Sequence, residues 1–207
     1  MVTLVEPVEV EAEVHGATLD AEGPWHRAMT RAPAQRQADY EDQYDDSTLF
    51  YDAFRVGDDV EMIGPPLLNL EHGMRPLELR GGGRRFARRL TWQAKDRLQR
   101  FRIEGVPASI RSMRMSCPLG TFALTIGEDL ASTFAGRRVL VTQSCNNPLP
   151  WVAEWVDHHS ATQRIDAVVI YDNASSAYDA DAIRAVMRTR PRIAVFAVIA
   201  WPFPFGV

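Results

Sequence analysis

The stretch Arg138-Val-Leu-Val-Thr-Gln-Ser-Cys-Asn-Asn-Pro-Leu-Pro-Trp151 decides the fold class. Arg138 to Gln143 is the short apolar run that a buried parallel strand needs. Ser144-Cys145-Asn146-Asn147-Pro148 then reads as a turn, with Asn146 or Asn147 placed to cap a following helix. Pro150 suits the first helical turn, and Trp151, Trp155, Val156 and His159 follow at helical spacing. Towards the C-terminus, Ala167-Val-Val-Ile-Tyr171 reads as a second strand, closed by Asp172-Asn173-Ala174-Ser175-Ser176. Asp179 to Arg190 is expected to be a helix, with Asp179 and Asp181 at its positive end and Arg188 and Arg190 at its negative end. Pro191 stops it, and Ile193 to Trp201 is a third apolar strand. Strand–helix–strand–helix–strand predicts an α/β fold, a parallel sheet with right-handed crossovers, covered on both faces.

Upstream the pattern differs. Leu49-Phe50-Tyr51, Val60 to Ile63 and Leu67 to Leu70 are short apolar runs separated by Gly57-Asp58-Asp59 and Gly64-Pro65-Pro66, the punctuation of strands and turns. Ile110 to Met115 and Thr121 to Ile126 read as two more strands. Between them and the first group, Phe86, Leu90, Ala94, Leu98 and Phe101 recur at spacings near three and four, which predicts a helix with a basic outer face. Residues 47–135 are therefore expected to be a mainly β accessory region. Residues 1–46 carry few large apolar side chains and are expected to be largely irregular, apart from one weak strand on Val2, Leu4, Val8, Val10 and Val14. Residues 136–207 complete the division.

The 207 residues are 46% hydrophobic and 24% charged, a globular composition that excludes collagen-like, mucin-like and wholly disordered chains. The formal net charge of −4 hides a dipolar first half: 15 acidic against 4 basic residues from Met1 to Glu61, then 10 basic against 2 acidic from Arg75 to Arg102. Two cysteines, Cys117 and Cys145, are too few for a disulfide framework. No apolar run approaches the length of a membrane helix, and the first residues lack a basic-then-apolar leader. The expected location is the cytoplasm.

In open parallel sheets, ligands bind beyond the carboxyl ends of the strands. Gln143, Asn146 and Asn147 follow the first strand; Asp172, Asn173 and Ser175 follow the second. Their amides, carboxylate and hydroxyl suit a pyrimidine edge and a ribose. Turn chemistry alone is the competing explanation for the same residue types.

Three segments carry a resemblance: Asn146-Asn-Pro-Leu-Pro-Trp-Val-Ala-Glu-Trp-Val-Asp-His-His159, Ile165-Asp-Ala-Val-Val-Ile-Tyr-Asp-Asn-Ala-Ser175, and Trp201-Pro-Phe-Pro-Phe-Gly206. Together they resemble the opening of a GT-A glycosyltransferase domain, most closely family 92 and family 2-like bacterial polysaccharide transferases, over residues 137–207. The resemblance implies a partial, Rossmann-like GT-A sheet. It also implies a UDP-type nucleotide-sugar donor and a glycan or other hydroxyl acceptor, with Asp172 near the base and the Gln143–Asn147 turn near the nucleoside. It further implies a divalent manganese or magnesium ion, whose Asp-x-Asp ligands are not visible before Val207. The catalytic base is likewise unassigned. The expectation is a donor-binding half, completed by a longer chain or by a partner subunit.

Other signals are weaker. His158 and His159 are adjacent on a helix and point about 100° apart, which suits packing better than shared metal ligation. Cys145 has no base at catalytic spacing. Gly81-Gly82-Gly83 lacks the Lys-Ser/Thr of a phosphate loop. A second function class remains, a non-catalytic binding or assembly module using the basic 75–102 stretch. Contact with a membrane surface, at the inner face, is a secondary expectation for a polysaccharide transferase; nucleic acid is not an expected partner.

Overall fold

The computed structural model describes residues 6–86, 90–95 and 97–204. It is a mixed α/β protein in which one parallel sheet and several antiparallel sheets account for most of the regular structure. The chain divides into two compact units, one holding residues up to Glu13 together with Leu130–Pro202, the other Val14–Asp129 with the residues from Phe203. The sequence had suggested divisions after residues 46 and 135.

The smaller unit contains β1 (Val8–Glu9), β12 (Val139–Ser144), α2 (Leu149–Gln163), β13 (Ala167–Asp172), α3 (Ala180–Arg188) and β14 (Val195–Ala200). Its strands are all parallel, in the order β1-β14-β13-β12. Leu140, Val168 and Phe196 lie in one row across the sheet, and Thr142, Ile170 and Val198 in the next on the same face. Val152 and Val156 of α2 and Ile183 and Met187 of α3 pack with Val168, Ile170, Phe196 and Val198 into a single core.

Both helices therefore cover one face; the sequence predicted a sheet covered on both, and on the other face Ala167, Val195 and Ala197 are buried without a helix of this unit over them. Each new strand is added on the same side of the last, and right-handed crossovers of one sense deliver both helices to the same face. The opposite face carries Val139, Val141 and Gln143, and Val141 is 59% exposed.

Part of the N-terminal segment is ordered here. Val8 and Glu9 pair with Val195 and Phe196, extending the sheet beyond β14. Glu9 shares a row with Phe196, hence the helix-covered face, and there it meets Arg184 at 3.3 Å and Arg188 at 2.6 Å on α3. Val2 and Leu4 of the anticipated strand lie outside the described residues. The Asp179 carboxylate caps α3 by accepting from the Ala182 amide at 3.0 Å. No side chain caps α2, whose N-cap is Pro148, so neither Asn146 nor Asn147 has the capping role expected of it.

The larger unit is mainly β. A two-stranded sheet pairs β2 (Ala17–Thr18) with β3 (Thr48–Phe50). A second sheet runs β4-β5-β9-β8, built from Asp52–Val56, Asp59–Gly64, Leu98–Ile103 and Leu90–Lys95 respectively. A third runs β11-β10-β6-β7, from Gly120–Thr125, Ser112–Cys117, Glu78–Gly81 and Arg84–Arg85. The short helix α1 (Tyr40–Gln43) precedes β3 in the chain.

One core joins the sheets, with Phe50 and Phe101 edge-on at 5.0 Å. Gly64 permits the close approach of β5 to β3; a Cβ there would collide with the Leu49 carbonyl oxygen. The helix expected over Phe86–Phe101 is replaced by strands β8 and β9, with residues 87–89 and 96 outside the described set. Gln99, Phe101 and Ile103 are buried while Arg100 and Arg102 point outward. A period of two was hidden there by apolar residues that also fell at helical intervals.

Residues 14–46 bury little apolar surface, yet polar staples order them. The buried Arg27 donates to the carbonyls of Pro66, Asp45 and Thr48, tying three distant turns together. Burial lowers its pKa, against the opposing field of Asp45. Arg55, also buried, donates to the carbonyls of Val106, Pro107 and Ile110.

Candidate functional site

The carboxyl ends of the parallel strands put Ser144, Asp172 and Ala200 side by side in the last row of the sheet. Beyond them, two loops lock together around Asn146. Its backbone is left-handed, φ 54°, a conformation asparagine tolerates better than most residues. The Asn146 backbone N–H donates to Ser175 Oγ at 2.9 Å. Its side-chain Oδ1 accepts from the amides of Ser176 at 2.9 Å and Ala177 at 2.8 Å, and its Nδ2 donates to Ser176 Oγ at 3.3 Å. The Ser175 hydroxyl in turn donates to Asp172 Oδ1 at 2.5 Å. A continuous polar chain thus runs from the Asn146 amide through Ser175 to the Asp172 carboxylate.

Three of the six anticipated residues, Asn146, Asp172 and Ser175, are brought together in this chain. Asn147 lies beside it, its Nδ2 donating to Ser144 Oγ at 3.0 Å and its carbonyl accepting from Tyr178 Oη at 2.7 Å. Asn173 is turned to the third strand end: its amide donates to the Ser144 carbonyl at 2.8 Å and its Nδ2 to the Trp201 carbonyl at 3.2 Å. Gln143 is not part of the cluster. It shares a row with Tyr171 and Ile199, so its exposed side chain leaves the sheet on the face opposite Asp172.

Asp172 is only 6% exposed. One of its oxygens is held by Ser175, and Oδ2 has no hydrogen-bond partner among the described residues. It is a nearly buried carboxylate with one oxygen held by the adjacent hydroxyl. Asn146, by contrast, spends its donors and acceptors on the neighbouring loop. It holds the loop rather than offering free groups to a ligand. Sequence reasoning missed Ser144, Ser176 and Tyr178 as members of the cluster. Tyr178 sits in the turn before α3, where no periodicity or turn signal marks it.

Further along α2, His159 packs its ring against Trp155 with centroids 5.2 Å apart, as expected, but its Nδ1 has no hydrogen-bond partner among the described residues. Among the described residues no group of three or more His, Cys, Asp or Glu side chains is placed to hold a metal ion. Cys145 is an exposed free thiol, and burial pushes the Cys117 thiol above its ordinary pKa. Among the described residues no helix is long and apolar enough to cross a membrane.

The basic 75–102 stretch is split between two sheets. Arg100 pairs with Glu61 at 3.2 Å and Arg102 with Asp59 at 2.5 Å on one; Arg80 and Arg85 lie on the other.

No family model matches the chain, and no curated protein matches it. A solved structure of tandem Ig repeats of Dlar matches with 19% identity over 44% of this chain and 51% of that one, at a TM-score of 0.22. The aligned region is about half of that chain.

Proposed function

We propose that the smaller unit binds the nucleoside of a nucleotide sugar, and that the chain is a glycosyltransferase or the donor-binding half of one. The observation that carries this reading is the Asn146–Ser175–Asp172 chain at the carboxyl edge of a parallel sheet, where such sheets take their ligands. Asp172 Oδ2 is the acceptor for an imide N–H of a uracil-type base. Ser175 orients the carboxylate, and Asn146 and Asn147 hold the two loops that frame it. In the reaction, a hydroxyl of a glycan acceptor attacks the anomeric carbon of the donor and the nucleoside diphosphate leaves. The acceptor is a growing surface polysaccharide, handled at the cytoplasmic side of the membrane. This chain's residues supply binding and orientation; no step is routed through a metal, and no catalytic base is assigned.

Calorimetric titration of UDP into the chain and into Asp172→Asn tests the reading. The substitution keeps the size of the side chain and its hydrogen bond from Ser175 but weakens it as an acceptor. UDP affinity is expected to fall by about tenfold or more, the scale of one lost charge-assisted hydrogen bond. Equal affinity in both proteins, or none for UDP in the parent chain, sinks the assignment.

A further inference from the structure

The third sheet of the larger unit carries an unusual row of charge. Across its strands Arg114 stands opposite Arg80, and Arg80 opposite Arg85. The neighbouring positions Met113, Met115 and Leu79 are buried in the core, so the arginines occupy the outer face. All three are exposed. Strands lie about 4.8 Å apart, so the three backbone positions span about 10 Å. Like charges directly opposite one another destabilise a sheet. Among the described residues only Glu78 answers them, at 2.7 Å from Arg80 and 3.3 Å from Arg85, and Arg114 has no ion pair there.

The second sheet is built differently. There Arg102 meets Asp59 and Glu61, and Arg100 meets Glu61, so its outward arginines face carboxylates on the adjacent strand. The same unit therefore neutralises one arginine face internally and leaves the other in excess.

We propose that the Arg114–Arg80–Arg85 row is a docking surface for an acidic polysaccharide bearing a carboxylate on each sugar ring. The guanidinium fork pairs bidentately with carboxylate, and a row that steps from strand to strand offers one such fork per repeat of a uronate chain. The flanking positions add hydroxyls: Ser112 opposite Thr125 on one side, and Ser116 opposite Thr121 on the other. These suit the ring hydroxyls of a glycan.

The composition of the face argues against other polyanions. Among the described residues it holds no aromatic side chain on which a nucleic-acid base would stack. None of the large apolar side chains exposed elsewhere on the protein stands on it to enter a lipid surface. The row belongs to a different unit from Asp172.

Binding of the full chain to polygalacturonate, with neutral dextran, poly(U) and phosphatidylserine vesicles as comparisons, tests the proposal. The parent chain is expected to bind polygalacturonate in preference to the other three, and to lose that binding as salt is raised. The double variant Arg80→Glu/Arg114→Glu is expected to lose about tenfold or more in affinity. The neutral pair Arg80→Gln/Arg114→Gln should weaken it less, and serves as the test if charge reversal disturbs folding. Arg192→Glu, a reversal in the other unit, should leave it unchanged. UDP titrations on the same variants keep the two claims apart, because a correct docking row leaves UDP affinity intact. Retention of polygalacturonate by both double variants, an equal loss in Arg192→Glu, or preference for poly(U) or vesicles overturns the proposal whatever UDP does.

Discussion

Asn146 shows how one residue can serve two demands at once: it accepts a left-handed backbone, and its side chain replaces the hydrogen bonds that the 173–178 loop lacks. Asn146→Gly keeps the backbone freedom and removes the clasp; Asn146→Asp keeps the acceptor as well. Glycine is expected to cost about 1–2 kcal/mol and to expose the Ser176 and Ala177 amides to hydrogen exchange, while aspartate preserves their protection. Equal protection in both variants would show that the loop holds itself. A second residue-scale prediction concerns acid. The Gly105 amide and the Arg102 guanidinium hold the Asp59 carboxyl below its usual range. A depressed folded-state pKa favours the native state above the ordinary carboxylate range and loses that contribution as the pH falls through it. Burial raises the pKa of Asp52, which has the opposite sign: its contribution is present in acid and lost as the pH rises. Asp59→Asn should therefore flatten the acid limb of stability, read as urea midpoints between about pH 6 and 3, and Asp52→Asn should not. A steeper acid limb in Asp59→Asn would contradict the assignment.

Among elements, strand β9 gives the sharpest test of how the chain is folded. A helix through Phe86–Phe101 would leave Gln99 off the apolar stripe, facing water. In the hairpin it is 2% exposed, and its Oε1 accepts from the Leu67 amide at 2.8 Å. Gln99→Ala strands that buried N–H and should cost about 1–3 kcal/mol by urea denaturation. A change below about 0.5 kcal/mol, ordinary for a surface site, would count against the hairpin. The same element explains why the basic segment does not act as one charged face. As a helix, its arginines would gather on one side. As strands they are dealt out to two sheets, where Asp59 and Glu61 meet two of them and Arg80 and Arg85 join Arg114.

At the scale of the whole molecule, the chain enters its smaller unit, leaves it for residues 14–129, and returns. Removal of residues 1–13 should therefore weaken a unit that lies mostly beyond residue 130. It deletes β1, whose backbone pairs with β14 through Val8 and Val10, and the Glu9 partners of Arg184 and Arg188. Faster hydrogen exchange across Val195–Ala200 is the expected result; unchanged exchange there would mean that β1 contributes nothing. From the sequence alone came the kind and order of the elements from Arg138 to Ala200, the stop of α3 before Pro191, and the strand character of Ile110–Met115 and Thr121–Ile126. Apolar periodicity, caps and turn residues are local properties, written within a few positions of where they act. Pairing across the fold set the rest: Val8 pairs with Val195, both helices share one face, and Gln143 and Asp172 leave the sheet on opposite sides. It alone turned Asn146 from a helix cap into a clasp and aligned three arginines in one row. Each of these depends on register and pairing between residues far apart in the chain, which hydrogen bonding and burial select together and no local pattern encodes.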